Sequence, residues 1–136
     1  MDPYIKELSE VIRKTKMTNT YKMVWIRSIV DVCCDSPKTK TIHFDQLSQK
    51  IFGYYWNQTF FFDLKQDSLK PPRIQQYVNT EIDRYVSKFG VHPQWFVKVE
   101  NKVSIPISKI SYELTRYVSK LFEKTPDKTY DLYKLD

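Results

Sequence analysis

One apolar segment, residues 21–34, most constrains what this chain can fold into. If these residues form a helix, its polar positions narrow to Arg27, Ser28 and Asp31, and most of its circumference is apolar. Such a helix is stable only when other elements cover it, because apolar surface is driven out of water. The sequence therefore predicts that residues 21–34 form the central buried helix, with Arg27 and Asp31 spaced to pair across one turn.

Four other segments have the apolar spacing of amphipathic helices. They are residues 2–16, residues 45–56, residues 72–89, and a last helix that begins at Ser108 or Ser111. The segment 72–89 has the most regular pattern, because its apolar side chains recur every three or four residues and a glycine follows as a C-terminal cap. The chain is therefore expected to be mainly helical.

Short β-strands are expected at three places. Residues 39–44 alternate in polarity and are rich in β-branched side chains, and residues 95–99 and 102–106 flank a two-residue turn. Residues 57–71 are expected to be a loop between helices. Only two glycines are present in the chain, which argues against a sandwich or barrel with many tight turns.

The predicted order of elements is that of a winged helix, a helix-turn-helix variant with an appended β-hairpin. From residue 21 the order is helix, strand, helix, loop, helix and two strands. The predicted fold class is mainly α with a small β-element, a winged-helix-like domain with extra N- and C-terminal helices. In that fold the third helix enters the DNA major groove and the hairpin lies against the backbone.

A single domain, residues 1–136, is predicted, because the chain is long enough for one core and has no repeat or linker that would divide it. The end TYDLYKLD looks like a helix stopped in mid-course, which favours an N-terminal fragment of a longer protein. The adjacent Cys33 and Cys34 predict free thiols, with at least one buried on the apolar helix. A charged N-terminus and the lack of a membrane-spanning apolar run predict a cytoplasmic protein.

The charge of the chain favours a polyanionic partner. Its formal net charge is +6 and its pI is about 9.2. The excess is central, because residues 36–102 carry ten Lys and Arg against six Asp and Glu. A basic surplus gathered in one region is typical of nucleic-acid binding, so double-stranded DNA is the predicted partner.

Within the winged-helix hypothesis, the polar side chains of residues 72–89 and of the hairpin are the DNA-contacting candidates. Asn and Gln present a donor and an acceptor to adenine, Arg presents a fork to guanine, and Lys suits phosphates. The predicted DNA-binding residues are Arg73, Gln76, Asn79, Thr80 and Arg84 on the helix and Lys98 and Lys102 on the hairpin.

No catalytic centre, metal site or cofactor site is predicted. The two histidines, His43 and His92, are far apart, and with Cys33 and Cys34 they lack the CxxC or HxxxH spacing of metal ligands. The sequence has no glycine-rich phosphate loop. The chain is therefore predicted not to be an enzyme and to need no cofactor.

Three consecutive aromatic residues, Phe60, Phe61 and Phe62, have several interpretations. They can fill the core beneath a loop, stack on bases, or contact a partner chain. With Trp56 and Trp95 they support an alternative hypothesis, a protein-interaction or dimerisation module that forms a homodimer or binds another protein. A contiguous exposed apolar patch would favour this alternative, whereas basic side chains gathered on one face would favour DNA binding.

Four stretches of the chain occur in order between about residues 18 and 80: TYKMVWIRSIVDVC, IHFDQLSQKIFGYYW, LKQDS and PPRIQQYV. They resemble the N-terminal region of bacterial HNH endonuclease-like proteins. In that family the chemistry lies in a C-terminal ββα-metal module, whose histidine activates water. No histidine follows His92 in this chain. The resemblance therefore implies a non-catalytic, DNA-positioning accessory domain of a nuclease-like or restriction/defence-type protein.

Overall fold

Helices make up all the regular secondary structure in the part of the chain that the structure describes. The structure is a computed structural model, and it describes residues 21–36, 41–62 and 73–118. The helices are α1 (Tyr21–Asp35), α2 (Phe44–Phe62), α3 (Arg73–Phe89), α4 (Phe96–Val99) with a 3-10 turn (Glu100–Lys102), and α5 (Ile107–Glu113) continued by a π-helical segment (Leu114–Val118). None of these helices is long and apolar enough to cross a membrane.

The centre of the core is α2, not the helix of residues 21–34. The α2 helix packs against α1, α3, α4 and α5. Its side chains Phe52, Tyr55 and Trp56 are completely buried. The α1 helix instead has one buried face, since Met23 and Val30 are 53% and 44% exposed. The sequence prediction was wrong here because apolar residues all around a helix do not require that every one of them is covered.

The buried face of α1 includes Trp25 and Val32, which confirms that these side chains belong to the core. The predicted ion pair also forms, because Arg27 Nε lies 3.7 Å from Asp31 Oδ2. The prediction of a buried thiol is wrong. Both cysteines are free and exposed in the last turn of α1, where Val32 is the last buried side chain.

The predicted β-hairpin of residues 95–99 and 102–106 is not formed, so the winged-helix fold class is wrong. Phe96 and Val99 are both buried, and a spacing of three residues places two side chains on the same side of a helical turn. Two hydrogen bonds hold the segment on α2: Trp56 Nε1 donates to the carbonyl oxygen of Gln94 at 2.9 Å, and the Phe96 N–H donates to Asn57 Oδ1 at 2.9 Å. Packing on α2 therefore decides the conformation of this segment, which the local sequence left open between strand and helix.

The boundaries of α2 correct two further predictions. Residues 41–43 are irregular instead of extended, and α2 begins at Phe44. The predicted loop 57–71 is helical as far as Phe62, because the aromatic side chains at this end of α2 pack against α3 and Trp95. The other residues of these two segments, and the predicted helix 2–16, lie outside the described residues.

The segment 72–89 is the helix that the sequence predicts. It begins at Arg73 and ends at Phe89, and Gly90 follows with a φ of 105°. This left-handed backbone conformation favours glycine, and the Gly90 N–H donates to the carbonyl oxygen of Val86 at 3.0 Å. The last predicted helix is also present, with its start at Ile107.

Candidate nucleic-acid interface

The α3 helix separates into a buried face and an exposed row. The side chains that face the core are Ile74, Gln75, Val78 and Tyr85. Residues spaced by three and four positions along one flank of this face form a row along the helix. This α3 row consists of Arg73, Tyr77, Thr80, Arg84 and Lys88. Tyr77 is half-buried and the others are exposed. The row therefore carries three cationic side chains and no carboxylate.

The first turns of α3 lie beside α5 and form a groove of about 710 Å³ with it. Lys109 Nζ lies 5.8 Å from the centre of the Tyr77 ring, and the Arg116 guanidinium lies 6.0 Å from the Tyr112 ring. Arg73 also lines this groove. Lys109 and Arg116 are both exposed, so their charges are accessible to a ligand in the groove. The groove thus combines positive charge with flat aromatic walls.

One carboxylate, that of Glu113, lines the same groove. Two cations, Arg73 and Lys109, line the groove with it, and Arg116 lies beside the Tyr112 ring at the same groove. The local charge balance is therefore positive, as a site for a phosphate-containing ligand requires.

At the other end of the row, Arg84 is held by a carboxylate. Arg84 Nη2 and Nε donate to Glu81 Oε2 at 2.7 and 3.2 Å. The same oxygen accepts the N–H of Ser104 at 3.3 Å, which ties the segment before α5 to α3. Arg84 therefore has a fixed orientation, and its positive charge is partly compensated by Glu81.

The predicted DNA-binding residues do not all lie on the same surface. Arg73, Thr80 and Arg84 share the α3 row, and the half-buried Gln76 lies beside it. Asn79 is engaged on the inner side, because its Oδ1 accepts a hydrogen bond from Gln75 Nε2 at 2.9 Å.

Lys98 and Lys102 are exposed, but they lie on α4 and on the 3-10 turn, not on a wing. Lys102 Nζ is 5.2 Å from the centre of the Phe89 ring at the end of α3. Lys102 is therefore adjacent to the C-terminal end of the row, whereas Lys98 lies on α4, one turn after Trp95.

Four side chains at this surface were not predicted as site residues: Tyr77, Lys88, Lys109 and Arg116. The spacing of Lys88 on the same row was available in the sequence. Lys109 and Arg116 are seven residues apart, which is two helical turns, but that spacing does not say which helix α5 packs beside. Tyr77 is half-buried and packs against the core, and its ring also lines the groove and lies near Lys109.

The three consecutive phenylalanines have different environments. Phe60 packs edge-on against Trp56 and Tyr85, so it fills the core. Phe61 stacks on Trp95 with a ring-centre distance of 4.0 Å. Phe62 is 63% exposed. The interpretation as core filling therefore fits Phe60 but not Phe62.

Residues 21–36, 41–62 and 73–118 contain no group of three or more His, Cys, Asp or Glu side chains that is arranged to hold a metal ion. No protein-family model, curated protein or solved structure matches the chain.

Proposed function

We propose that this chain binds double-stranded DNA through the α3 row and the cations of α5 beside it. The supporting observation is the row itself: its three cationic side chains are exposed, Lys109 lies beside Tyr77 of the same row, and Arg116 lies beside Tyr112 in the adjoining groove. The net charge of +6 favours the approach of a polyanion to this surface.

The length of the row suits a DNA backbone. At 1.5 Å per residue, the distance from Arg73 to Lys88 along the helix axis is about 22 Å. Double-stranded DNA carries one negative charge for roughly each 1.7 Å of its axis, so several phosphates face a row of this length. Contact with phosphates releases counterions, which is the main source of sequence-independent affinity.

The side chains of the row are better suited to contact phosphates than to recognise base edges. The Thr80 hydroxyl donates to the carbonyl oxygen of Gln76, and Asn79 is engaged by Gln75. Arg84 is held by Glu81. Three of the polar groups suited to reading base edges therefore have partners within the protein, and little sequence preference is expected.

The biological setting of this activity is part of the same proposal. An accessory domain that holds DNA for a nuclease-like partner, without catalysis of its own, agrees with the resemblance over about residues 18–80. A cytoplasmic location agrees with the two free thiols at Cys33 and Cys34.

The test compares two variants with the same change in charge. Arg73→Gln/Lys109→Gln removes two cations at the groove, and Arg27→Gln/Lys50→Gln removes two cations that pair with Asp31 and Asp35 on α1. Fluorescence anisotropy with a duplex of about 20 base pairs is measured at about 50 and 200 mM salt, where four phosphate contacts would weaken binding roughly a hundredfold.

We expect the groove variant to lose affinity and about two units of salt slope, because each lost phosphate contact lowers the slope by about one. The control variant is expected to keep most of the parent's affinity. Equal losses in the two variants, or no binding by the parent at low salt, would exclude the α3 row as a DNA-binding surface.

A further inference from the structure

A second surface lies where the C-terminal ends of α2 and α3 meet the start of α4. Three aromatic side chains there are exposed to solvent: Phe62, Phe89 and Trp95 are 63%, 52% and 44% exposed. Val91, between them in the sequence, is 70% exposed. We call the three rings the aromatic platform. Exposed aromatic side chains grouped in this way usually mark a binding site.

The rings of the platform are connected through the protein interior. Phe61 stacks on Trp95 at 4.0 Å and contacts Phe62 at 6.4 Å. On the other side, Phe89 packs on Tyr85 at 5.0 Å. Phe60 joins the two halves, at 6.0 Å from Tyr85 and 6.5 Å from Phe61. The platform is therefore backed by packed rings that restrict its movement.

Lysines surround the aromatic platform. Lys88 precedes Phe89, Lys98 lies one helical turn after Trp95, and Lys102 Nζ is 5.2 Å from the Phe89 ring. Over residues 86–102 the one carboxylate is that of Glu100. Flat apolar rings with cations beside them are complementary to a ligand that has flat apolar groups joined by anions.

We propose that the aromatic platform binds unpaired bases of a DNA strand, with Lys98 and Lys102 on its phosphates. Bases in a duplex are already stacked on each other, so only unpaired bases have a free face for Phe62 or Trp95. Protein interfaces are usually depleted in lysine, so the three lysines favour nucleic acid over a protein partner.

This inference deepens the proposed function and rests on it. Lys88, the last residue of the α3 row, directly precedes Phe89 of the platform, so both surfaces include the C-terminal end of α3. Duplex DNA would then lie along the α3 row, and an unpaired strand that continues from it would lie on the aromatic platform. The preferred ligand is therefore a duplex that carries a single-stranded extension.

The tryptophans of the chain give a direct readout. Of the three tryptophans, Trp25 and Trp56 are 2% and 0% exposed, and Trp95 is 44% exposed. A base that stacks on Trp95 quenches its fluorescence, while the two buried indoles are unaffected. Titration with oligothymidylate at low salt is therefore expected to lower the emission and shift it to shorter wavelength.

The variants Trp95→Ala and Phe62→Ala test the platform, with Val97→Ala as the matched control. Val97 is 72% exposed on α4 and has no ring. Each lost ring is expected to weaken oligothymidylate binding on the order of tenfold, because base stacking on aromatic side chains supplies much of single-strand affinity. Duplex affinity should change less than twofold. Thermal unfolding checks that each variant is folded. Phe62→Ala keeps Trp95 as the reporter, and the affinity of Trp95→Ala is measured by the fluorescence anisotropy of a labelled oligothymidylate.

The outcomes separate this inference from the proposed function. Quenching in the parent and in the Arg73→Gln/Lys109→Gln variant, with tenfold losses for the ring variants, supports the platform. Duplex binding without any quenching overturns the platform alone. Quenching without duplex binding overturns the proposed role of the α3 row. A dimer in sedimentation that Trp95→Ala dissociates, with no quenching, overturns the inference in favour of a protein contact.

Discussion

Gly53 lies directly against the ring of Phe96, so close that a methyl group on Gly53 would be 2.8 Å from Phe96 Cδ1. This contact joins α4 to the central helix α2. Glycine in the middle of a helix costs about 1 kcal/mol relative to alanine. The close packing of Phe96 gives the physical reason for a glycine at this position.

The first prediction is that Gly53→Ala destabilises the protein. The added methyl group must displace Phe96 or α4, at a cost of about 1–3 kcal/mol, and alanine recovers up to about 1 kcal/mol of helix propensity. We expect a net loss of about 1–2 kcal/mol in the free energy of unfolding, measured in urea.

A double-mutant cycle with Phe96→Leu separates packing from backbone effects. In the Phe96→Leu protein, the smaller leucine side chain should remove most of the loss in unfolding free energy that Gly53→Ala causes. Gly90→Ala is the control, because Gly90 has a φ of 105° and nothing within 4 Å of a new Cβ. Gly90→Ala should lower the free energy of unfolding by the same amount in the parent and in the Phe96→Leu protein. A Gly53→Ala protein as stable as the parent would contradict the argument.

The elements that the sequence predicts correctly are those defined by local periodicity. The regular spacing of residues 72–89, with Gly90 after it, predicts α3 almost to its ends. The strand prediction for residues 95–99 was wrong because a five-residue segment with four apolar side chains fits a strand or a short helix equally well. The deciding contact, Phe96 on Gly53, joins residues far apart in the sequence. Local patterns do not carry that information.

The same distinction applies to the candidate site. The outward flank of α3 follows from spacing alone, and Arg73, Thr80 and Arg84 lie there as predicted. The groove does not follow from spacing, because it depends on the packing of α5 beside α3, which places Lys109 over Tyr77. Asn79 was predicted to contact DNA because of its residue type. In the structure its Oδ1 instead accepts a hydrogen bond from the buried Gln75.

The second prediction concerns Asn79→Ala. Gln75 is 1% exposed, and its Nε2 donates to Asn79 Oδ1 at 2.9 Å and to Thr59 Oγ1 at 2.7 Å. Loss of Asn79 removes one partner of a buried amide, which should cost about 1 kcal/mol in the free energy of unfolding. Duplex affinity should stay within twofold of the parent. A large loss of affinity with no loss of stability would return Asn79 to the DNA-binding set.

The third prediction is that Cys33 and Cys34 react rapidly with a thiol reagent in the folded protein. Both side chains are exposed at the last turn of α1, so no unfolding is needed to reach them. We expect two equivalents of Ellman's reagent to react at nearly the same rate with and without denaturing urea. Cys33→Ser and Cys34→Ser should each leave one fast thiol. Slow reaction that urea accelerates would show that the thiols are covered.

The fourth prediction is that Glu81→Gln increases duplex affinity. The Glu81 carboxylate holds Arg84 at 2.7 Å and adds a negative charge beside the α3 row. The amide keeps an acceptor for the Ser104 N–H but removes the charge, so Arg84 becomes available to a phosphate. Binding should tighten several-fold at low salt, and the salt slope should rise by about one, the value for one added phosphate contact. Stability should change by less than about 1 kcal/mol, because the Arg84 side chain is 43% exposed.

The increase should depend on Arg84 and not on net charge alone. Asp35→Asn removes an equal charge from the pair with Lys50, on a different part of the surface, and should leave duplex affinity within twofold. In Glu81→Gln/Arg84→Gln the added slope should disappear, because no cation is left to make the new contact. If Asp35→Asn raised affinity as much as Glu81→Gln, or if the double variant kept the increase, general charge would explain the effect and Arg84 would have no specific role in the α3 row.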